Sequence, residues 1–162
     1  LPEVICNTSP LQYLYQLDLL HVLQALTEHI IIPPAVVQEL AAGRAQGVNL
    51  PDPMTLEWVT VRQPASTRAL PLVTDLGPGE TEVLALALES TDAVVILDDA
   101  LARQVAATLD IRFRGTLGLL LDAKRAGLVL TITPLLDQLQ ALRFRLSLGT
   151  REAILALAGE TS

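Results

Sequence analysis

Cysteine occurs once in the 162 residues, at Cys6, so no internal disulfide can form, and no Cys/His spacing suits zinc. Cys6 sits in an apolar run, where a buried structural thiol in a reducing cytoplasm is the simplest reading. Charged residues make up only 18% of the chain, too few for a disordered segment. Apolar runs are short. A membrane span needs roughly 18 such residues, and the nearest candidate, Val83 to Leu97, is broken by Glu89 and Asp92. Glu3 near the start and the polar break from Asn7 to Pro10 argue against a secretory leader. Aromatics reach only 3%, which leaves little surface for stacking bases. Neither G-x-G-x-x-G nor G-x-x-x-x-G-K-[ST] is present, which argues against dinucleotide and P-loop nucleotide binding.

What is present is a large apolar complement, 51%, enough for one sizeable core, and residues 1–162 read as a single domain. The net charge of −7 argues against a protein that merely coats nucleic acid. The charge is uneven: residues 1–102 hold 3 basic and 13 acidic side chains, and residues 103–162 hold 8 and 5. That division suits a metal pocket beside a phosphate-binding rim, and suits chance as well.

Short apolar runs alternate with helical patterns. Strands are expected at Val4–Cys6, His29–Ile32, Glu57–Arg62, Ala93–Leu97 and Ile111–Phe113. Helices are expected over Leu11–Leu26, in two pieces around Asp18, from Pro34 to a stop at Gly43, over Glu80–Ser90, and from Asp98-Asp99 to about Leu109. Further helices follow at Thr116–Ala126, Pro134–Leu142 and Thr150–Leu157, and loops at residues 43–55 and Pro64 to Pro71. The alternation predicts an α/β fold with a mainly parallel sheet covered on both faces. Sites in such sheets lie beyond the carboxyl ends of the strands.

Asn7 follows the first strand, as a helix cap or as an oxygen ligand at that edge. Glu80 lies, on a helical projection, in the middle of the stripe Val83, Leu84, Ala87 and Leu88, with Glu82 and Glu89 on the opposite, solvent face. Its place in the first turn suits the helix dipole, but the dipole does not explain an inward direction. Asp98 and Asp99 follow the fourth apolar run; one can cap the next helix while the other serves as a ligand, and Asp99 is also four residues from Arg103. Glu39 borders its helix's apolar stripe, beside Val36, and taken alone reads as a surface Glu. Together these residues offer hard oxygen ligands suited to Mg²⁺ or Mn²⁺, the ions that activate water for phosphodiester cleavage.

Several segments carry a resemblance to PIN-domain proteins. They are Val4-Ile5-Cys6-Asn7-Thr8-Ser9-Pro10-Leu11, Pro34 to Leu40, Leu76 to Glu82, Ile96 to Arg103, and Gly115 to Leu120. The first of them resembles more narrowly a PIN-like family that opens with a strand and N-[TA]-S-P-L. The resemblance covers nearly the whole chain and implies a three-layer α/β/α domain. It further implies metal-dependent cleavage of single-stranded RNA, as in the toxins of toxin–antitoxin pairs.

Carried onto this chain, the resemblance makes Glu39, Glu80 and one of Asp98 and Asp99 the catalytic acids, with the choice between the two aspartates open, and adds Asn7 to them as metal ligands. Arg103, Arg112 and Arg114 become the phosphate-binding residues. Single-stranded RNA and an antitoxin or other small protein are the implied partners, with homodimer formation open and no membrane. Asn7 departs from the pattern, which has Asp after the first strand, and removes one negative charge. A PIN-like binding or regulatory module with weak or no nuclease activity is therefore the alternative. A phosphoacceptor receiver is a poor fit, because the acidic pair comes late and Lys124 lies in a helical pattern.

Overall fold

The computed structural model describes residues 2–66 and 75–161. The chain runs β1 (Glu3–Cys6), α1 (Thr8–Gln16), α2 (Leu20–Thr27), β2 (Ile30–Ile32), α3 (Pro34–Ala45), β3 (Val59–Val61) and α4 (Pro78–Glu89). It continues with β4 (Ala93–Ile96), α5 (Ala100–Thr108), β5 (Arg112–Arg114), α6 (Thr116–Arg125), α7 (Thr133–Ala141) and α8 (Leu148–Leu157). The strands form one parallel sheet in the order β3-β2-β1-β4-β5, within a three-layer α/β/α architecture.

That order places the functional edge. From β1 the chain moves outward to β2 and β3, then returns to the other side of β1 for β4 and β5. Neighbouring strands β1 and β4 thus send their following segments in opposite directions, which opens a crevice at their carboxyl ends. Asn7 follows β1 directly, and its amide donates to the Ile96 carbonyl of β4. Asp98 lies two residues beyond β4. Both flank the crevice.

The strands are short and β-branched because both faces are covered. Ile30, Ile31 and Ile32 are all buried. Ile5, Leu14, Leu23, Leu84, Ile96 and Leu120 are at most 1% exposed, each worth about 2 kcal/mol over an exposed position. Cys6 is fully buried, and burial, then the nearby Asp98 charge, raises its thiol pKa. No helix of the described residues is long and apolar enough to cross a membrane.

Two expectations need correction. Gly43 does not end α3, which continues to Ala45. Its missing Cβ serves packing instead, because the Leu50 side chain occupies that space. Nor does α4 present a single apolar stripe. Val83, Leu84, Ala85, Leu86 and Ala87 are all buried, while Leu88 is 48% exposed. The helix is wrapped by the sheet and by α3, so a one-faced projection misreads it. The break at Asp18 is real: Asp18 takes a positive φ of 60° between α1 and α2. The loop expected at Pro64 to Pro71 lies partly outside the described residues.

Candidate functional site

Asn7 occupies the N-cap position of α1, yet its side chain makes no cap hydrogen bond. The residue is only 3% exposed, and its Oδ1 is buried without a hydrogen-bond partner. An orphaned buried oxygen costs on the order of 1–3 kcal/mol. It faces the bare Cα of Gly79, in the first turn of α4. A Cβ built on Gly79 would lie 2.8 Å from Asn7 Oδ1, 3.1 Å from Glu39 Oε2 and closer still to Glu39 Oε1. Asn7 and Glu39 therefore direct their oxygens into one small space that only glycine leaves open.

Glu39 reaches this space from α3. Thr8 Oγ1 donates to its Oε1 at 3.1 Å. Its pKa is raised above the ordinary carboxylate range, first by burial and further by the charges of Glu80 and Glu82, against the lowering effect of Thr8. Glu80 is half-buried and close enough to Glu39 to be felt electrostatically. Its own carboxylate bends back over the N-cap, with Oε2 2.6 Å from where a Gly77 Cβ would sit. Glu82 does not point to water as expected. It is half-buried and accepts the Ala35 amide at 2.9 Å, so it caps the open start of α3.

Across the first turn of α1, the adjacent aspartates separate into two roles. Asp99 is exposed and is the N-cap of α5, accepting the Ala102 amide at 2.9 Å. Asp98 is half-buried and turns inward. It accepts the Thr116 amide at 2.8 Å, the Thr116 hydroxyl at 2.7 Å and the Ser9 hydroxyl at 3.2 Å. Consecutive hydroxyls at the start of α1 thus bracket the crevice, Thr8 on Glu39 and Ser9 on Asp98. Ser9 and Thr116 were not singled out from the sequence, and Glu82 was read there as a solvent-facing residue. Their partners lie far along the chain, 89 residues away for Ser9 and Asp98.

The three arginines expected to hold phosphate diverge. Arg103 is exposed and does not bridge Asp99; its guanidinium stacks over Phe113, 4.8 Å from the ring centre. Near the crevice, a Gly115 Cβ would lie 3.1 Å from Asp98 Oδ1 and 3.7 Å from Arg103 Nη1. Arg112 starts β5, opposite Val94 in register, and pairs with Asp92 at the amino end of the sheet. It is on the wrong edge. Arg114 is held by Asp122 through two bonds, 2.9 and 2.5 Å, and by the Gly118 carbonyl at 3.1 Å. Its charge is already matched.

Among the described residues, no three His, Cys, Asp or Glu side chains form a ready-made metal-holding group. Glu39, Glu80 and Asp98 share one end of the sheet without closing together. Like charges without a cation repel, and each carboxylate is turned to a different neighbour. The donor set still fits a hard divalent cation: an orphaned amide oxygen, a carboxylate beside it, a second carboxylate on a flexible arm, and no soft ligand.

A family model described as a PIN domain matches residues 3–160. No protein of curated function matches the chain.

Proposed function

The chain belongs to the PIN domain family, whose fold is of the nuclease type, and on that premise we propose that it is a divalent-metal-dependent endoribonuclease acting on single-stranded RNA. The observation that carries this reading is the buried, unpartnered Oδ1 of Asn7, turned with Glu39 into the space above Gly79. Two acceptors with no donor to Oδ1 suit a cation. Glu80 and Asp98 complete the set of Mg²⁺ or Mn²⁺ ligands, whereas Asp99 is left as a helix cap. Such an ion, when bound, supplies Lewis acidity: it lowers the pKa of water and steadies charge on the leaving oxygen. Ser9 and Thr116 orient the Asp98 carboxylate, and Thr8 orients that of Glu39. Burial around Asn7 keeps competing water from its oxygen. A toxin role with an antitoxin partner belongs to this reading and rests on the family.

The second reading, a binding or regulatory module with little or no cleavage, is favoured by the same Asn7. An amide oxygen carries no net charge and attracts a cation less than the Asp of the family pattern. The deciding experiment is cleavage of a panel of single-stranded RNAs by purified protein with Mn²⁺, Mg²⁺ or chelator, beside Glu80→Gln. Cleavage that needs metal and Glu80 supports the nuclease. Cleavage undiminished in chelator contradicts it, and RNA binding without any cleavage favours the second reading.

A further inference from the structure

Beside Asp98, on its β5 side, lies a hollow of about 450 Å³. Arg103, Arg145, Phe113 and Phe144 are among its lining residues. Of the described basic residues, Arg44, Arg62, Arg112, Arg114, Lys124 and Arg151 are all in ion pairs. Arg103, Arg125, Arg143 and Arg145 are not, although the chain carries a net charge of −7, and of these four only Arg103 and Arg145 line the hollow. Two unmatched guanidinium groups therefore face one space in an acidic protein, next to a carboxylate of the candidate site. Arg103 is further steadied by its stacking on Phe113.

The aromatic side chains gather in the same place. The chain has only five: one Trp, two Tyr and two Phe. Three of them adjoin this region. Phe113 and Phe144 line the hollow, and Tyr13 meets Phe144 edge-on with ring centres 5.0 Å apart. Burial, and then the charge of Asp98, raises the pKa of Tyr13. Low aromatic content over the whole chain thus coexists with local enrichment where a base would need a flat partner.

We propose that this hollow is a nucleotide subsite, in which Arg103, stacked on Phe113, and Arg145 hold a phosphate and Phe144 takes the adjoining base of a single strand crossing Asp98. Guanidinium forks suit phosphate oxygens, and aromatic faces accept any base, so the subsite positions a strand without reading its sequence. The volume suits one nucleotide. The inference deepens the proposed RNA-cleaving function and rests on it. Its test is run apart from metal and from cleavage.

The probe is a short, fluorescein-labelled, 2′-O-methyl oligoribonucleotide, which resists cleavage, followed by anisotropy in chelator across a salt series. The double variant Arg103→Gln/Arg145→Gln should weaken binding by roughly tenfold or more and flatten the log–log salt slope by about 0.7, the value for one lost single-strand phosphate contact. Phe144→Leu should weaken it by about fivefold or more with little change in slope. Arg125→Gln, which removes an exposed charge outside the hollow, should bind as the parent does. Melting curves check that each variant is folded, and Mn²⁺ binding, read by electron paramagnetic resonance, should be unchanged in all of them. Binding that depends on the two arginines in a protein that takes up no Mn²⁺ keeps the subsite and removes the nuclease reading. Equal affinity and slope in the double variant, or no binding by the parent chain, overturns the subsite.

Discussion

Asn7 Oδ1, directly after β1, and Glu39 Oε1, on α3, end on the same bare face of Gly79. Gly79→Ala puts a methyl group into that shared space. Overpacking costs about 1–3 kcal/mol, and better helix propensity returns about 1 kcal/mol. The melting temperature should therefore fall modestly while Mn²⁺ affinity, measured by calorimetry, falls at least tenfold. Undiminished Mn²⁺ affinity would place the ion elsewhere.

The aspartate pair offers a cleaner separation of structure from chemistry. Asp99→Ala removes the cap of α5 and should cost about 1 kcal/mol with metal-dependent cleavage retained. Asp98→Asn keeps the shape but removes the inward charge, and should lower cleavage at least a hundredfold. Stability and rate measured on both variants check this. Loss of cleavage with Asp99→Ala alone would reverse the two roles.

How far could this be read from residues alone? The parallel sheet and its covering helices were legible because β-branched runs alternate with Gly- and Pro-bounded helices, whereas the strand order and the switch beside β1 were not. Asn7 and the aspartates stood out because they follow strands, Glu80 because it falls inside an apolar stripe, and Glu39 because it borders one. The division between Asp98 and Asp99 was not legible. Both are good caps, and distant partners, Thr116 and Ser9, decide which turns inward. Glu82 was misread because a helical projection assumes one buried face, whereas α4 is also packed against α3. Arg112 was misread because residue type does not reveal which end of a strand faces the crevice. Arg145 carried no local signal; it matters through the hollow it shares with Arg103.

Glu39 gives the pH dependence. Its folded pKa is raised by burial and by Glu80 and Glu82. The metal-free protein is therefore stabilised on the acid side, below the ordinary value of 4.5, and loses that contribution as pH rises through the raised value. Glu39→Gln should raise the metal-free melting temperature near neutral pH and abolish the rise that Mn²⁺ produces. Metal binding by the parent chain should weaken on acidification at a higher pH than an ordinary Glu would give. Melting curves in chelator and in Mn²⁺ across pH test both statements.

Glu160 anchors the C-terminal helix behind the hollow. Burial alone would raise its pKa, but Lys124, the Thr133 hydroxyl and the amides of Ile132 and Thr133 outweigh that and bring it to about 2. The depressed value means stability that is present above 4.5 and is lost as pH falls toward about 2. Glu160→Gln should cost about 2 kcal/mol and open α8 to proteolysis near neutral pH, while leaving Mn²⁺ binding intact. Unchanged protease resistance would show that α8 is held by its apolar contacts alone.

The central claim is that the space between Asn7, Glu39 and Gly79 is a divalent-metal site, and Asn7→Asp tests it most directly. An added carboxylate joins Glu39, Glu80 and Glu82 in a crowded acidic region, which destabilises the metal-free protein. The same charge attracts the cation more strongly than the amide oxygen does. One measurement reads both effects: the melting temperature of the parent chain and of Asn7→Asp, each in chelator and in excess Mn²⁺. The account predicts a lower melting temperature for Asn7→Asp in chelator and a larger Mn²⁺-induced rise than in the parent. Equal melting temperatures for the two proteins in both conditions would contradict it.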